Sequence, residues 1–134
     1  MNLTFTIPLP PSSNNLFANS RNGGRFISPK YKAWREEAGW AIRKAQASWD
    51  QAQWTMAKSL FAGGGHTLRI SIPEDARGDA SNRIKAAEDL LVSLRITADD
   101  SKAQGVQVER DGSVPKGWCV VRVFPSQMRE AVNA

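Results

Sequence analysis

One cysteine, one histidine and one tyrosine occur among the 134 residues. A lone cysteine, Cys119, excludes an intramolecular disulfide and fits a reducing compartment. It lies in the apolar run Trp118 to Phe124 and reads as a small buried hydrophobe. The lone histidine, His66, has no Cys or His neighbour at ligand spacing, which excludes a zinc site and leaves a structural or exposed role. No stretch approaches the ~18 to 20 apolar residues that span a bilayer, so no membrane partner is expected. Met1 to Pro10 has neither a basic n-region nor an apolar h-region, and a cytoplasmic location follows as the expectation. Gly63-Gly64-Gly65 lacks both the Gly-Lys-Ser/Thr ending and the preceding strand of a phosphate-cradling loop, and reads as a turn or hinge. Internal repeats, low-complexity tracts and organic-cofactor motifs are absent as well.

Cations, by contrast, are in excess. Eighteen Lys and Arg against 13 Asp and Glu give a net charge of +5, with a pI near 9.8. In so small a chain this favours a polyanionic partner. Nucleic acid fits better than a membrane surface, because no basic amphipathic stretch carries a large apolar face. Tryptophan is also abundant. Trp34, Trp40, Trp49, Trp54 and Trp118 exceed what a small core needs; at least three are expected inside, and the others suit an interface, where aromatics are enriched.

Local pattern gives the order β-α-β-α-β-β. Leu3 to Ile7 alternates with period two, a half-buried strand closed by Pro8, Pro10 and Pro11. Ser12 to Asn15 and Asn19 to Arg25 form a long polar loop with Gly23-Gly24 at its tip. Ser28-Pro29 supplies a cap and a first-turn proline for a helix, whose apolar face is Trp34, Ala38, Ala41, Ile42, Ala45 and Trp49. The pattern weakens through Asp50 to Phe61. Thr67 to Ile72 is a strand closed by Pro73. A second helix is expected from about Asp79 to Leu94, burying Ile84, Ala87, Leu90, Leu91 and Leu94. Two strands follow, Val106 to Glu109 and Trp118 to Phe124, with a turn signal at Asp111-Gly112. The fold class is α+β: one domain over residues 1–134, with two helices packed on a small mixed or antiparallel sheet.

The chemistry-bearing residues concentrate in one stretch. Asn82, Lys85 and Asp89 are spaced three and four apart, so they line one polar helix face. Asp79 stands at its start, where its carboxylate can cap the helix and meet the dipole. Asp99 and Asp100 follow the helix. Should that loop return toward the helix start, several carboxylates and one lysine would converge on a single cleft. Such a cluster suits metal-assisted phosphodiester hydrolysis, with hard oxygen ligands and a nearby ammonium. A plainer reading stays open on spacing alone: Asp79 as a helix cap, and Lys85 with Asp89 as a surface pair.

The chain resembles the RusA family of Holliday-junction resolvases. The motifs are a strand followed by Pro10-Pro11-Ser12-Ser13-Asn14-Asn15, then Asp79, Asn82, Lys85, Asp89 and Leu91, then Asp99-Asp100. The run Gly24 to Pro29 through Trp34-Arg35 is also similar. This resemblance implies a homodimeric, Mg²⁺-dependent endonuclease (Mn²⁺ a possible substitute) that resolves four-way DNA junctions by paired incisions. By position, Asp79 and Asp100 would be metal ligands and Lys85 the catalytic lysine. Asp99 would support the metal, Asn82 would orient a turn or ligand, and Asp89 would partner Lys85. One position departs from the family's Asp-x-Asp-Asn: Ser81 stands where a metal-binding aspartate is usual. Ser81 could ligate the metal, Asp99 could substitute, or the chain could be a non-catalytic branched-DNA-binding protein. Expected DNA contacts are Arg77, Arg83, Lys102, Arg25 and Lys30, with Arg21 and Lys32 beside them. A two-fold dimer matches the near two-fold symmetry of a four-way junction.

Overall fold

A computed structural model describes residues 3–19, 21, 23–62, 65–97 and 103–125. Its main sheet has four strands: β1 (Leu3–Pro8), β4 (His66–Pro73), β5 (Ala103–Asp111) and β6 (Trp118–Pro125), in the order β1-β6-β4-β5. β6 pairs antiparallel with both β1 and β4, whereas β4 and β5 run parallel. The sheet is therefore mixed, and the class is α+β. β1, β4 and β5 all point the same way, so their C-terminal ends share one edge of the molecule. That edge carries the candidate site.

Alternation decides which side of the sheet is covered. Leu3, Phe5 and Ile7 of β1, Leu68, Ile70 and Ile72 of β4, and Cys119, Val121 and Val123 of β6 are all buried, as the period of two requires. Two helices pack against this face. α1 (Pro29–Ala47) buries Tyr31, Trp34, Ala38 and Ile42. Ser28 caps it by accepting from the Tyr31 amide, and Pro29 fills its first turn. The Trp34 indole donates to the Pro8 carbonyl at 2.8 Å, which ties α1 to the end of β1. α3 (Ile84–Ser93) buries Ala86, Ala87, Leu90 and Leu91 and forms the crossover that a parallel pair requires. A third helix, α2 (Gln51–Ala62), occupies the stretch where the periodicity is weak and stops just before the three glycines.

Several details depart from local pattern. The polar loop after residue 16 contains a small hairpin, β2 (Phe17–Asn19) with β3 (Arg25–Ile27), in the register Phe17↔Ile27, Ala18↔Phe26 and Asn19↔Arg25. The second helix does not begin at Asp79: a 3-10 turn, Ala80–Arg83, precedes α3. β5 and β6 flank β4 and are not neighbours, so Asp111-Gly112 is no hairpin turn. Asp111 accepts from the Ser113 amide and hydroxyl, making an Asx turn that starts the crossing beneath β4. Of the tryptophans, Trp34 is buried and Trp49 and Trp54 pack partly against the core, with Trp49 5.4 Å from the Phe5 ring. Trp40 and Trp118 face outward. Cys119 is fully buried, and burial pushes its thiol up to about 12. His66 is buried at a bulge where β4 begins. The expected tail structure, Ser126 to Ala134, lies outside the described residues.

Candidate active site

Two segments distant in sequence meet at the C-terminal edge of the sheet. The Ser13 hydroxyl donates to Asn82 Oδ1 at 3.2 Å. One residue on, Arg83 Nη1 donates to the Pro10 carbonyl at 2.6 Å, and Nη2 to the Arg77 carbonyl at 2.9 Å. The proline-serine-asparagine segment after β1 is thereby joined to the turn that opens α3. These segments carry the first two motifs, and folding brings them into contact.

Asp79 stands between the strand end and this turn. It occupies the cap position of the 3-10 turn with an extended backbone, φ −72° and ψ 133°. Its side chain makes no cap hydrogen bond, contrary to the sequence expectation. Backbone geometry explains this: a 3-10 turn closes on the Asp79 carbonyl, which accepts from the Asn82 amide at 3.0 Å. The carboxylate is exposed and, among the described residues, has no hydrogen bond or ion pair. Ser81, two residues on, is exposed as well.

The loop before Asp79 is held from beneath by a residue that local pattern did not single out. Arg110 of β5 reaches back to three carbonyls, those of Glu74, Ala76 and Gly78, at 3.2, 2.5 and 2.7 Å. Together with the bond from Arg83 to Arg77, two guanidinium groups bind four carbonyls of the stretch 74–78. Gly78 has φ +80°, a conformation that favours glycine and turns the chain into Asp79. The Arg83 guanidinium sits below its usual pKa because burial disfavours its charge and Arg110 lies close by. The sequence held no clear signal for Arg110, an exposed residue one position past the expected strand Val106 to Glu109. Arg83, an expected DNA contact, donates from its guanidinium to two backbone carbonyls.

Lys85 donates to Asp89 at 3.2 Å, an i,i+4 pair on the exposed side of α3. This pair lies near Tyr31, whose hydroxyl is pushed up by burial first and then by Asp89, against the opposing pull of Arg35 and Lys85. Arg77 is exposed beside Asp79, whereas Arg25 and Lys30 are exposed on the hairpin side. Arg25 covers the Phe17 ring at 4.6 Å. Asp99, Asp100 and Lys102 lie outside the described residues. Among the described residues no three Asp, Glu, His or Cys side chains group as a metal cage. The donors present near the sheet edge are a carboxylate and a hydroxyl, hard oxygens of the kind that suits Mg²⁺ over softer metals.

The described residues thus place an exposed carboxylate that makes no cap hydrogen bond just ahead of a lysine-bearing helix. The model of the family Endodeoxyribonuclease RusA matches residues 8–121, and the chain belongs to that family. That family supports a nuclease acting on branched DNA. No individual curated protein matches the chain.

Proposed function

We propose that this chain is a Mg²⁺-dependent, structure-selective endonuclease that resolves four-way DNA junctions by paired incisions as a homodimer. The observation that carries the reading is the free carboxylate of Asp79, presented by a clamped loop where the two motif segments meet. Asp79 would hold the metal with Asp100, with Ser81 and Asp99 as further oxygen donors. A bound divalent cation would neutralise phosphate charge and lower the pKa of a water. Lys85, released from Asp89, would stabilise charge developing on the phosphate. Asn82, fixed by Ser13, would orient the turn.

Strand pairing supports a site shared between protomers. Asp99 and Asp100 lead into β5, whose first residue, Ala103, pairs with His66 at the end of β4 remote from Asp79. From His66 to Pro73 a strand rises about 23 Å. The three peptide units between Asp100 and Ala103 reach about 11 Å at most. A two-fold dimer would set Asp79 of one protomer against the partner's Asp100, and it would present two such sites to the two opposed strands of a junction.

Incubation with four-way and linear duplex DNA, in Mg²⁺ and in EDTA, tests the reading. Paired nicks at the branch are expected with Mg²⁺ alone, and Asp79→Asn should abolish them while sparing binding. A wild-type protein that cuts no branched substrate would refute the enzyme. Ser81 favours a second reading, a branched-DNA-binding protein with a weakened metal site. If that holds, the wild type binds without cutting and Ser81→Asp gains activity; on the first reading the wild type already cuts.

A further inference from the structure

The chain's charge is distributed unevenly. Of the 18 Lys and Arg residues, Arg21, Arg25, Lys30, Lys32 and Arg35 precede the first carboxylate, Glu36; the 13 that follow are matched by all 13 acidic residues. The β2–β3 hairpin and the first turn of α1 thus carry cations and no carboxylate, until Glu36 and Glu37 follow Arg35 on the helix. Within that strip the hairpin leaves apolar side chains partly exposed. Phe26 is 48% exposed, Ile27 41% and Phe17 39%. A two-stranded ribbon has no reason of stability to hold aromatic rings in water, and large exposed apolar groups on a polar surface mark contact sites.

Register separates two faces. Phe17, Ile27 and Arg25 share one face, where Phe17 meets the Tyr31 ring at 6.3 Å and lies beneath Arg25. Ile27 borders a shallow groove of about 400 Å³ lined also by Lys32, Arg35, Glu36, Leu90 and Leu94. Phe26, opposite Ala18, is on the other face, and among the described residues its ring meets no other. The hairpin is anchored to the candidate site. At its base the Ser28 amide donates to the Leu16 carbonyl, and the Ser28 hydroxyl donates to that of Asn15; two residues before Asn15, Ser13 holds Asn82.

We infer that the hairpin is a base-contacting element: Phe26 stacks on an unpaired or unstacked nucleobase at the branch point, while Arg21, Arg25, Lys30 and Lys32 hold the flanking phosphates. This inference rests on the nuclease reading above and names how that site would recognise structure over sequence. A phenyl ring accepts the π-face of any base, so stacking discriminates open from paired DNA without reading identity. Apolar side chains inserted between base steps serve minor-groove-binding proteins in the same way. Cations on the same hairpin and on the helix turn that follows it would supply the phosphate attraction that stacking needs in support.

The test uses the full chain in EDTA, where nothing is cut, with four-way junctions that carry 2-aminopurine beside the branch and with matched linear duplex. Loss of stacking on alanine substitution is worth about 1–3 kcal/mol per base, so Phe26→Ala should weaken junction binding roughly tenfold. Duplex affinity and the salt dependence of binding should stay as in the wild type. Phe26→Trp should restore junction affinity and the change in 2-aminopurine emission. Arg25→Ala should instead weaken both DNAs and reduce the slope of log affinity against log salt by about 0.9. Junction binding unaltered in Phe26→Ala overturns the inference, and so does loss of the dimer on sedimentation, which would assign the ring to a second copy of the chain. Wild-type protein that neither binds nor cuts junctions refutes the nuclease reading itself, a result distinct from either.

Discussion

Asp79 holds a cap position without capping, and the reason is the company it keeps. The 3-10 turn that follows uses the backbone carbonyl of Asp79, and the loop in front is gripped by Arg110 and Arg83. Charge-assisted bonds from a planar guanidinium fix direction as well as distance. On the nuclease reading, Arg110 is a positioning residue that acts through the loop carrying Asp79. An ångström of misplacement at a reacting centre costs on the order of 100-fold in rate. Arg110→Ala should therefore slow junction cutting roughly 10- to 100-fold and raise the Mg²⁺ concentration for half-maximal rate, with junction affinity in EDTA retained. Arg110→Lys, a single point charge without the fork, should recover only part of the rate. Magnesium titrations of cutting, run beside thermal melting, check this. An unaltered Mg²⁺ requirement in a folded Arg110→Ala protein would remove the positioning role.

At the level of elements, the crossing from β5 to β6 passes the strand end that carries the candidate site. The Asx turn at Asp111 holds it. Hydrogen bonds from Ser113, backbone first and then side chain, hold the Asp111 carboxyl below its ordinary value. A carboxyl depressed in the folded state adds stability that is complete above its unfolded pKa and is lost as pH falls through the folded one. Between pH 5 and pH 3 the wild type should thus lose more of its melting temperature than Asp111→Ala does. Equal losses would show that the turn contributes nothing. In the central strand, Ile70 is wholly buried, and Ile70→Ala should cost about 2–5 kcal/mol in denaturant unfolding.

For the whole molecule, the question is which protomer supplies which carboxylate. A mixture of Asp79→Asn and Asp100→Asn proteins answers it. If each site combines Asp79 of one protomer with the partner's Asp100, a mixed dimer keeps one intact site and nicks junctions, although each variant alone is inert. If both residues act within a protomer, every site in the mixture is damaged and nicking stays absent. Gel analysis of junctions after subunit exchange separates the two, and single nicks in place of paired ones are the expected product of the shared arrangement.

Much of this was legible in the chain itself. Periods of two and 3.6 marked β1, β4 and β6, α1 and α3, and the Ser28-Pro29 cap held, because these depend on neighbours within a few residues. Local spacing likewise put Asn82, Lys85 and Asp89 on one helix face, whereas the roles expected of Asp79, Lys85 and Asp100 came from the resemblance to the RusA family. Pairing was not legible. That β6 inserts between β1 and β4, that β4 and β5 run parallel, and that Ser13 finds Asn82 are long-range choices made by burying one continuous core. Those choices joined Arg83 to two backbone carbonyls, recruited Arg110 to three more, and left the Asp79 carboxylate without a hydrogen bond among the described residues. Residue types and spacing determined which side chains are candidates for chemistry. Only tertiary structure decided which of those side chains are engaged and which remain available, since a hydrogen bond between distant segments forms only after the core has brought their ends together.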